Sequence, residues 1–120
     1  PLFKIVDDVL YNADMTVIIS FLSDTAKYVT PDGVTNIGDS AFRTCRSLQE
    51  ISILEGVKSI GNCAFKNCYS LQEISIPKSV TSIGDSAFGG CPIHRIKIPK
   101  GNKTKFKRLL PNYKDKLVEV

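Results

Sequence analysis

Three shortages restrict what this chain can be. Within its 120 residues there is no uninterrupted apolar run of membrane-spanning length, there is a single histidine, and the four cysteines include no set of close pairs of the kind zinc sites use. The first shortage excludes a membrane span in this stretch. The chain opens on Pro1 without an initiating Met, so it reads as a processed protein or an excised piece, and the lack of a leader leaves export open. The second weighs against nucleophilic catalysis. The stretch GDSA occurs at Gly38–Ala41 and again at Gly84–Ala87, but a nucleophilic serine needs a positioned base and an oxyanion hole, and His94 cannot serve two serines. A third copy of the stretch has Cys63 in the serine column, as a tolerant small-residue position would. His94 shares a column with Gln49 and Gln72 and reads as a surface polar position. No phosphate-binding loop or dinucleotide fingerprint is present, and only repetition links Glu50 with Glu73. We therefore expect no enzyme, no cofactor and no metal.

Charge is unevenly distributed. Arg95–Val120 carries nine Lys or Arg against Asp115 and Glu119, a net of +7, whereas the first 94 residues carry seven against ten, a net of −3. A basic end can attract nucleic acid, acidic surfaces or anionic headgroups in a salt-dependent way. This tail lacks the aromatic interleaving used to stack single strands, so its plain reading is a solvated cap. Asn102-Lys103-Thr104 is an N-glycosylation sequon, meaningful only in a host that glycosylates.

What the chain does contain is a period. Val34–Gly56, Val57–Ser79 and Val80–Gly101 align as repeats of 23, 23 and 22 residues. Constant columns fall at Val34/Val57/Val80, Ile37/Ile60/Ile83, Ala41/Ala64/Ala87, Phe42/Phe65/Phe88 and Cys45/Cys68/Cys91, and these are expected to point inward. Ile51 with Ile53, Ile74 with Ile76, and Ile96 with Ile98 alternate at spacing two, the mark of a short strand. Gly38, Gly61 and Gly84 punctuate each unit before a turn-favouring Asp39, Asn62 or Asp85, and a short helical turn through Ala-Phe and Cys is expected to follow. Pro77 and Pro99 end the strands. One such coil cannot bury its apolar face alone, but stacked coils share a continuous core. Stacking sets the three cysteines in a column about 5 Å apart. Parallel Cβ vectors make a disulfide there awkward, so we expect reduced core thiols, with Cys63 the most exposed of the four.

The pattern VTxIGxxAFxxC followed by LxxIxIP resembles the BspA-like leucine-rich repeats over Val34–Gly101. FKIVDDVLYNADMT is similar to the family's VxxGVLYNxDxT unit, with Asp8 where the family usually has Gly, and Thr30 stands where an Ile would be expected, suggesting a partly exposed first strand. The resemblance implies an α/β leucine-rich-repeat solenoid, a right-handed coil in which each repeat supplies a short parallel strand and a short helical turn. The expected organisation is one domain over 1–120, with an N-terminal hairpin unit at 1–33, repeats at 34–56, 57–79 and 80–101, and a C-terminal cap at 102–120. IVDDVLY and TVIISFL read as two strands about an NADM turn, and Phe106, Leu109 and Leu110 have helical spacing before Pro111.

Residues between the buried isoleucines face outward and form ladders, one of Glu50, Glu73 and Arg95 and another of Ser52, Ser75 and Lys97. These six are the candidate partner-binding face. Because the family it resembles comprises bacterial surface or secreted proteins that adhere to host or matrix proteins, the expectation is a non-catalytic, monomeric protein-binding module outside the cell. No nucleic-acid partner is expected of the strand face; the alternatives are polyanion, nucleic-acid or anionic-surface binding through the basic tail, and a purely structural spacer.

Overall fold

The computed structural model describes residues 2–120 as a stack of coils between two sheets, measuring 42 × 26 × 23 Å. Each repeat contributes two strands where the sequence signals one. A two-residue strand precedes the glycine (β5 Asn36–Ile37, β7 Ser59–Ile60, β9 Ser82–Ile83), and a longer one follows the turns (β6 Glu50–Ser52, β8 Glu73–Ser75, β10 Arg95–Ile98). The short strands lie too close to the glycine for alternation to reveal them. The N-terminal segment supplies β1 (Phe3–Val6), β2 (Val9–Asn12), β3 (Val17–Phe21) and β4 (Lys27–Val29), and the C-terminal segment supplies α1 (Lys103–Leu109), a 3-10 turn at Pro111–Lys116 and β11 (Leu117–Glu119). One sheet runs β1-β2-β3-β5-β7-β9 and the other β11-β10-β8-β6-β4, all parallel beyond the antiparallel β1-β2-β3.

The constant columns fill the space between the sheets. Phe42, Phe65, Leu48, Leu71, Ile51, Ile74 and Ile96 are fully buried, and Ile93 takes the leucine column in the shortened third repeat. The phenylalanines stack face to face with centroids 4.7 Å apart for Phe21–Phe42 and Phe42–Phe65 and 5.3 Å for Phe65–Phe88. Tyr28 and Tyr113 stand edge-on to Phe21 and Phe88 at the two ends, so each end terminates the stack with a ring turned across it.

The expected helical turn takes the form of successive four-residue turns closed by i→i−3 hydrogen bonds. Ala41, Arg43 and Cys45 donate to Gly38, Ser40 and Phe42, while the intervening N–H groups of Ser40, Phe42 and Thr44 donate to Asn62, Ala64 and Lys66 of the next coil. A continuous helix would direct every donor along its own axis. Here alternate donors cross between coils, and Ser40, Cys63 and Ser86 adopt φ of 57°, 56° and 55° to turn them outward. The serine of GDSA is thus a left-handed turn residue. Asp39 and Asn62 link coils too: their Oδ1 atoms accept from the Asn62 and Asp85 N–H groups, each at 2.8 Å. The thiols of Cys45, Cys68 and Cys91 donate to the carbonyls of Phe21, Phe42 and Phe65, and the Tyr113 hydroxyl reaches Phe88 O in the same way at 3.3 Å.

At the N-terminal end, IVDDVLY is two strands instead of the single run expected. Asp7 and Asp8 have φ of 50° and 61°, the two left-handed residues of a tight hairpin, and Asp tolerates that region well enough to replace the family's usual Gly. Asn12 Oδ1 accepts from the Thr16 and Val17 N–H groups to close the second turn. Thr30 is fully buried, its Oγ1 accepting from the Leu54 N–H, whereas Val29 beside it in β4 is 56% exposed. The partly exposed first strand is therefore present, but Thr30 belongs to its inner side. At the C-terminal end, Phe106 is buried, and Leu117, also buried, belongs to a strand that sequence reading omits.

All four cysteines are free, with Cys68 buried and Cys45, Cys63 and Cys91 half-buried. The adjacent Cys68 thiol holds Cys45 below the ordinary thiol range, while the Cys45 contact pushes Cys68 up to about 11 and the Cys68 contact together with burial raises Cys91. Iodoacetamide near neutral pH should therefore alkylate Cys45 of the native protein ahead of Cys68 and Cys91, as read by peptide mass spectrometry. Equal rates would show that the column opens. Phe65→Ala should lower the unfolding free energy by about 3–5 kcal/mol in urea melts, against about 0.5 kcal/mol or less for the exposed Tyr69→Ala. Comparable losses for the two would remove the ring stack as the central support.

Candidate binding face

Parallel register places the predicted side chains. Glu50 pairs with Glu73 and Glu73 with Arg95, while Ser52 pairs with Ser75 and Ser75 with Lys97. Each residue flanks a fully buried isoleucine, Ile51, Ile74 or Ile96, so strand alternation directs it to the outer face. All six lie on that one face. The two ladders are longer than sequence reading supplies, because Lys27 pairs with Glu50, Val29 with Ser52 and Val118 with Lys97. Lys27 was detectable, standing one 23-residue period before Glu50. Val118 carries no repeat signal.

Glu73 is the electrostatic centre. Its Oε2 lies 3.1 Å from Lys97 Nζ and its Oε1 3.5 Å from Arg95 Nη1, which fixes one carboxylate between two cations from a single neighbouring strand. The Lys97 hydrogen bond is the main reason its carboxyl titrates below the ordinary carboxylate range. Across the face the ladder reads Lys27, Glu50, Glu73, Arg95, with the like-charged glutamates adjacent and a cation on each flank. Val29 and Val118, 56% and 41% exposed, add apolar surface at opposite ends. Upstream of the strands, Arg46 Cζ sits 5.6 Å from the ring centre of the exposed Tyr69, an aromatic and guanidinium pair that the periodicity alone did not single out.

The remaining chemical readings find no partner geometry. Exposed His94 joins the adjacent member of its column through its backbone N–H, bonded to Gln72 O, and no hydrogen bond joins its ring to a serine or cysteine among the described residues. Among the same residues there is no cluster of three or more His, Cys, Asp or Glu able to hold a metal, and no helix is long and apolar enough to cross a membrane.

A family model described as the BspA type leucine rich repeat region matches residues 22–113, with six copies of its unit. Among solved structures, a leucine-rich repeat protein from Eubacterium ventriosum superposes with a TM-score of 0.76 at 28% identity, covering 82% of this chain and 27% of that one. A leucine-rich repeat protein from Bacteroides ovatus is 34% identical with a TM-score of 0.62, over 84% of this chain and 27% of that one. A leucine rich cell surface protein from Faecalibacterium prausnitzii is 26% identical with a TM-score of 0.52, over 82% and 34%. The chain thus spans about a quarter to a third of the length of these relatives. No curated protein matches it.

A depressed carboxyl is stabilised in its charged form, so the Glu73 clamp is complete above the ordinary carboxylate range and is lost as pH falls through Glu73's lowered value. Following the Glu73 side-chain carboxyl by carbon-detected NMR should show this low midpoint, and Lys97→Met should move it upward. An unmoved midpoint would mean that Lys97 does not hold the carboxylate in solution.

Proposed function

We propose that this chain, which belongs to the BspA-type leucine-rich repeat family, is a non-catalytic protein-binding module of a bacterial surface or secreted protein that engages its partner through the outer face of β4, β6, β8, β10 and β11. The observation that carries the reading is the ordered charge of that face. Glu73 is held between Arg95 and Lys97, so the face has a preferred arrangement of charge before any partner arrives. Preorganised side chains lose less freedom on binding, and a fixed sequence of signs selects a partner with the complementary sequence. Exposed valines at both ends and the Arg46–Tyr69 pair upstream supply the apolar and aromatic area that protein interfaces use. The cell-surface description of the Faecalibacterium prausnitzii relative supports display outside the cell.

Binding is tested with the immobilised chain against a mixture of host matrix and cell-surface proteins at low and high salt, beside a variant carrying Glu50→Ala, Glu73→Ala and Arg95→Ala. A protein retained at both salt levels and lost with the variant is the expected result. Retention of polyanions alone, and only at low salt, would replace the strand face with the basic tail as the interacting surface.

A further inference from the structure

The third coil ends in an unfilled rung of the ladder that joins the other coils. In the first two repeats, three turn N–H groups donate to the following coil: Ser40, Phe42 and Thr44 to Asn62, Ala64 and Lys66, then Cys63, Phe65 and Asn67 to Asp85, Ala87 and Gly89. The corresponding donors of the third repeat, Ser86, Phe88 and Gly90, have no backbone acceptor among the described residues. The acceptors are free in the same register. Ile37 O and Ile60 O take the N–H groups of Gly61 and Gly84, and Asp39 Oδ1 and Asn62 Oδ1 take those of Asn62 and Asp85, whereas Ile83 O and the Asp85 carboxylate receive no hydrogen bond among the described residues. The C-terminal cap does not close this edge. It forms the far wall of a cleft of about 340 Å³ between Ile83–Gly89 and Leu109–Tyr113.

We infer that this edge is a docking site for an extended segment of a partner polypeptide, laid along the third coil as a fourth rung. The two internal rungs specify the occupant. Donors on alternate residues call for the carbonyls of alternate residues of a peptide, which a single anion could not supply, and Ile83 O and Asp85 call for two consecutive peptide N–H groups. The residue facing Gly84 and Asp85 must be glycine: at the equivalent Gly61, a Cβ would stand 2.5 Å from Asp39 Oδ1 and 2.7 Å from the Gly38 carbonyl carbon. Tyr113 already caps Phe88 edge-on with centroids 6.1 Å apart, so the position that carries phenylalanine in the repeats must hold a small residue in the occupant. The recognised chemistry is strand addition by a segment of the form Gly-(Asp/Asn)-x-Ala-small.

The probe is a capped peptide with the sequence of residues 57–66 carrying Cys63→Ser and Phe65→Ala, titrated into the ¹⁵N-labelled chain. Saturable amide shifts at Ser86, Phe88 and Gly90 are expected, with a Kd of about 1 mM or below. The exposed Asp85→Ala variant should bind about three- to tenfold more weakly, and the peptide with Gly61→Ala should produce no shifts. Absence of saturable shifts, shifts confined to the strand face, or equal binding by the Gly61→Ala peptide would each overturn the inference. So would the same shifts arising without peptide as the protein is concentrated, which would identify a second copy as the occupant. Because the rung and the strand face belong to different sheets, either can fail without the other.

Discussion

The close approach of each coil's backbone to the next is the constraint on which the other features rest. Gly61 and Gly84 lie so near the preceding coil that any side-chain carbon would fall within 2.7 Å of its backbone and its Asp39 or Asn62 side chain. That contact permits two-residue strands to pair, lets the turn N–H groups reach across, and sets the phenylalanine rings at stacking distance. A helix in the same place would hold its hydrogen bonds to itself and leave that segment joined to its neighbours by side chains alone. The left-handed residues at Ser40 and Cys63 are the cost of avoiding this, offset by backbone bonds that continue through the turns.

Such a structure has ends, and both use tyrosine. Tyr28 and Tyr113 turn their rings across the phenylalanine stack, and each hydroxyl then finds a polar partner, Tyr11 at one end and the Phe88 carbonyl at the other. Tyr113 does in one side chain what Phe and Cys do separately within the repeats. It covers the last ring and satisfies the carbonyl that the next cysteine thiol would have reached. The cap therefore seals the core and the strand-face sheet, where β11 pairs with β10, while the opposite sheet stops at β9.

Legibility in the sequence follows from the range of the interaction responsible. The buried columns and the outward ladders were readable because a period of 23 residues converts contacts between coils into identical letters at fixed spacing. The second sheet was not readable, since two residues before a glycine carry no alternation, and the turn segment imitated a helix because Ala-Phe and Cys have helical spacing. Asp39 and Asn62 looked like local turn residues and proved to be bridges to the neighbouring coil, a distinction that depends on the coil spacing rather than on residue type. At the flanks the period fades, so the hairpin at Asp7-Asp8 and the strand containing Leu117 had only local signals. The clamp on Glu73 was half visible. Arg95 lies in its ladder, but Lys97 lies in the adjacent one, and only side-chain length brings the ammonium to the carboxylate.

A perfect repeat would present the same side chains at every coil and could not fix where along the stack a partner sits. This chain holds its core columns constant while its surface columns change, from Glu and Ser in the first two repeats to Arg and Lys in the third. With Lys27 on the other flank, the outer ladder runs positive, negative, negative, positive, and the second adds Lys97 beside Arg95 without adding a cation beside Lys27. The positive flanks are therefore unequal, and the clamp on Glu73 draws its cations from the heavier side. A ligand that crosses the strands meets different fields in its two orientations, so direction as well as identity can be selected. The third repeat can vary in this way because outward positions contribute little to the core, whereas its inward Phe88, Ile96 and Ile98 remain buried in the shared stack.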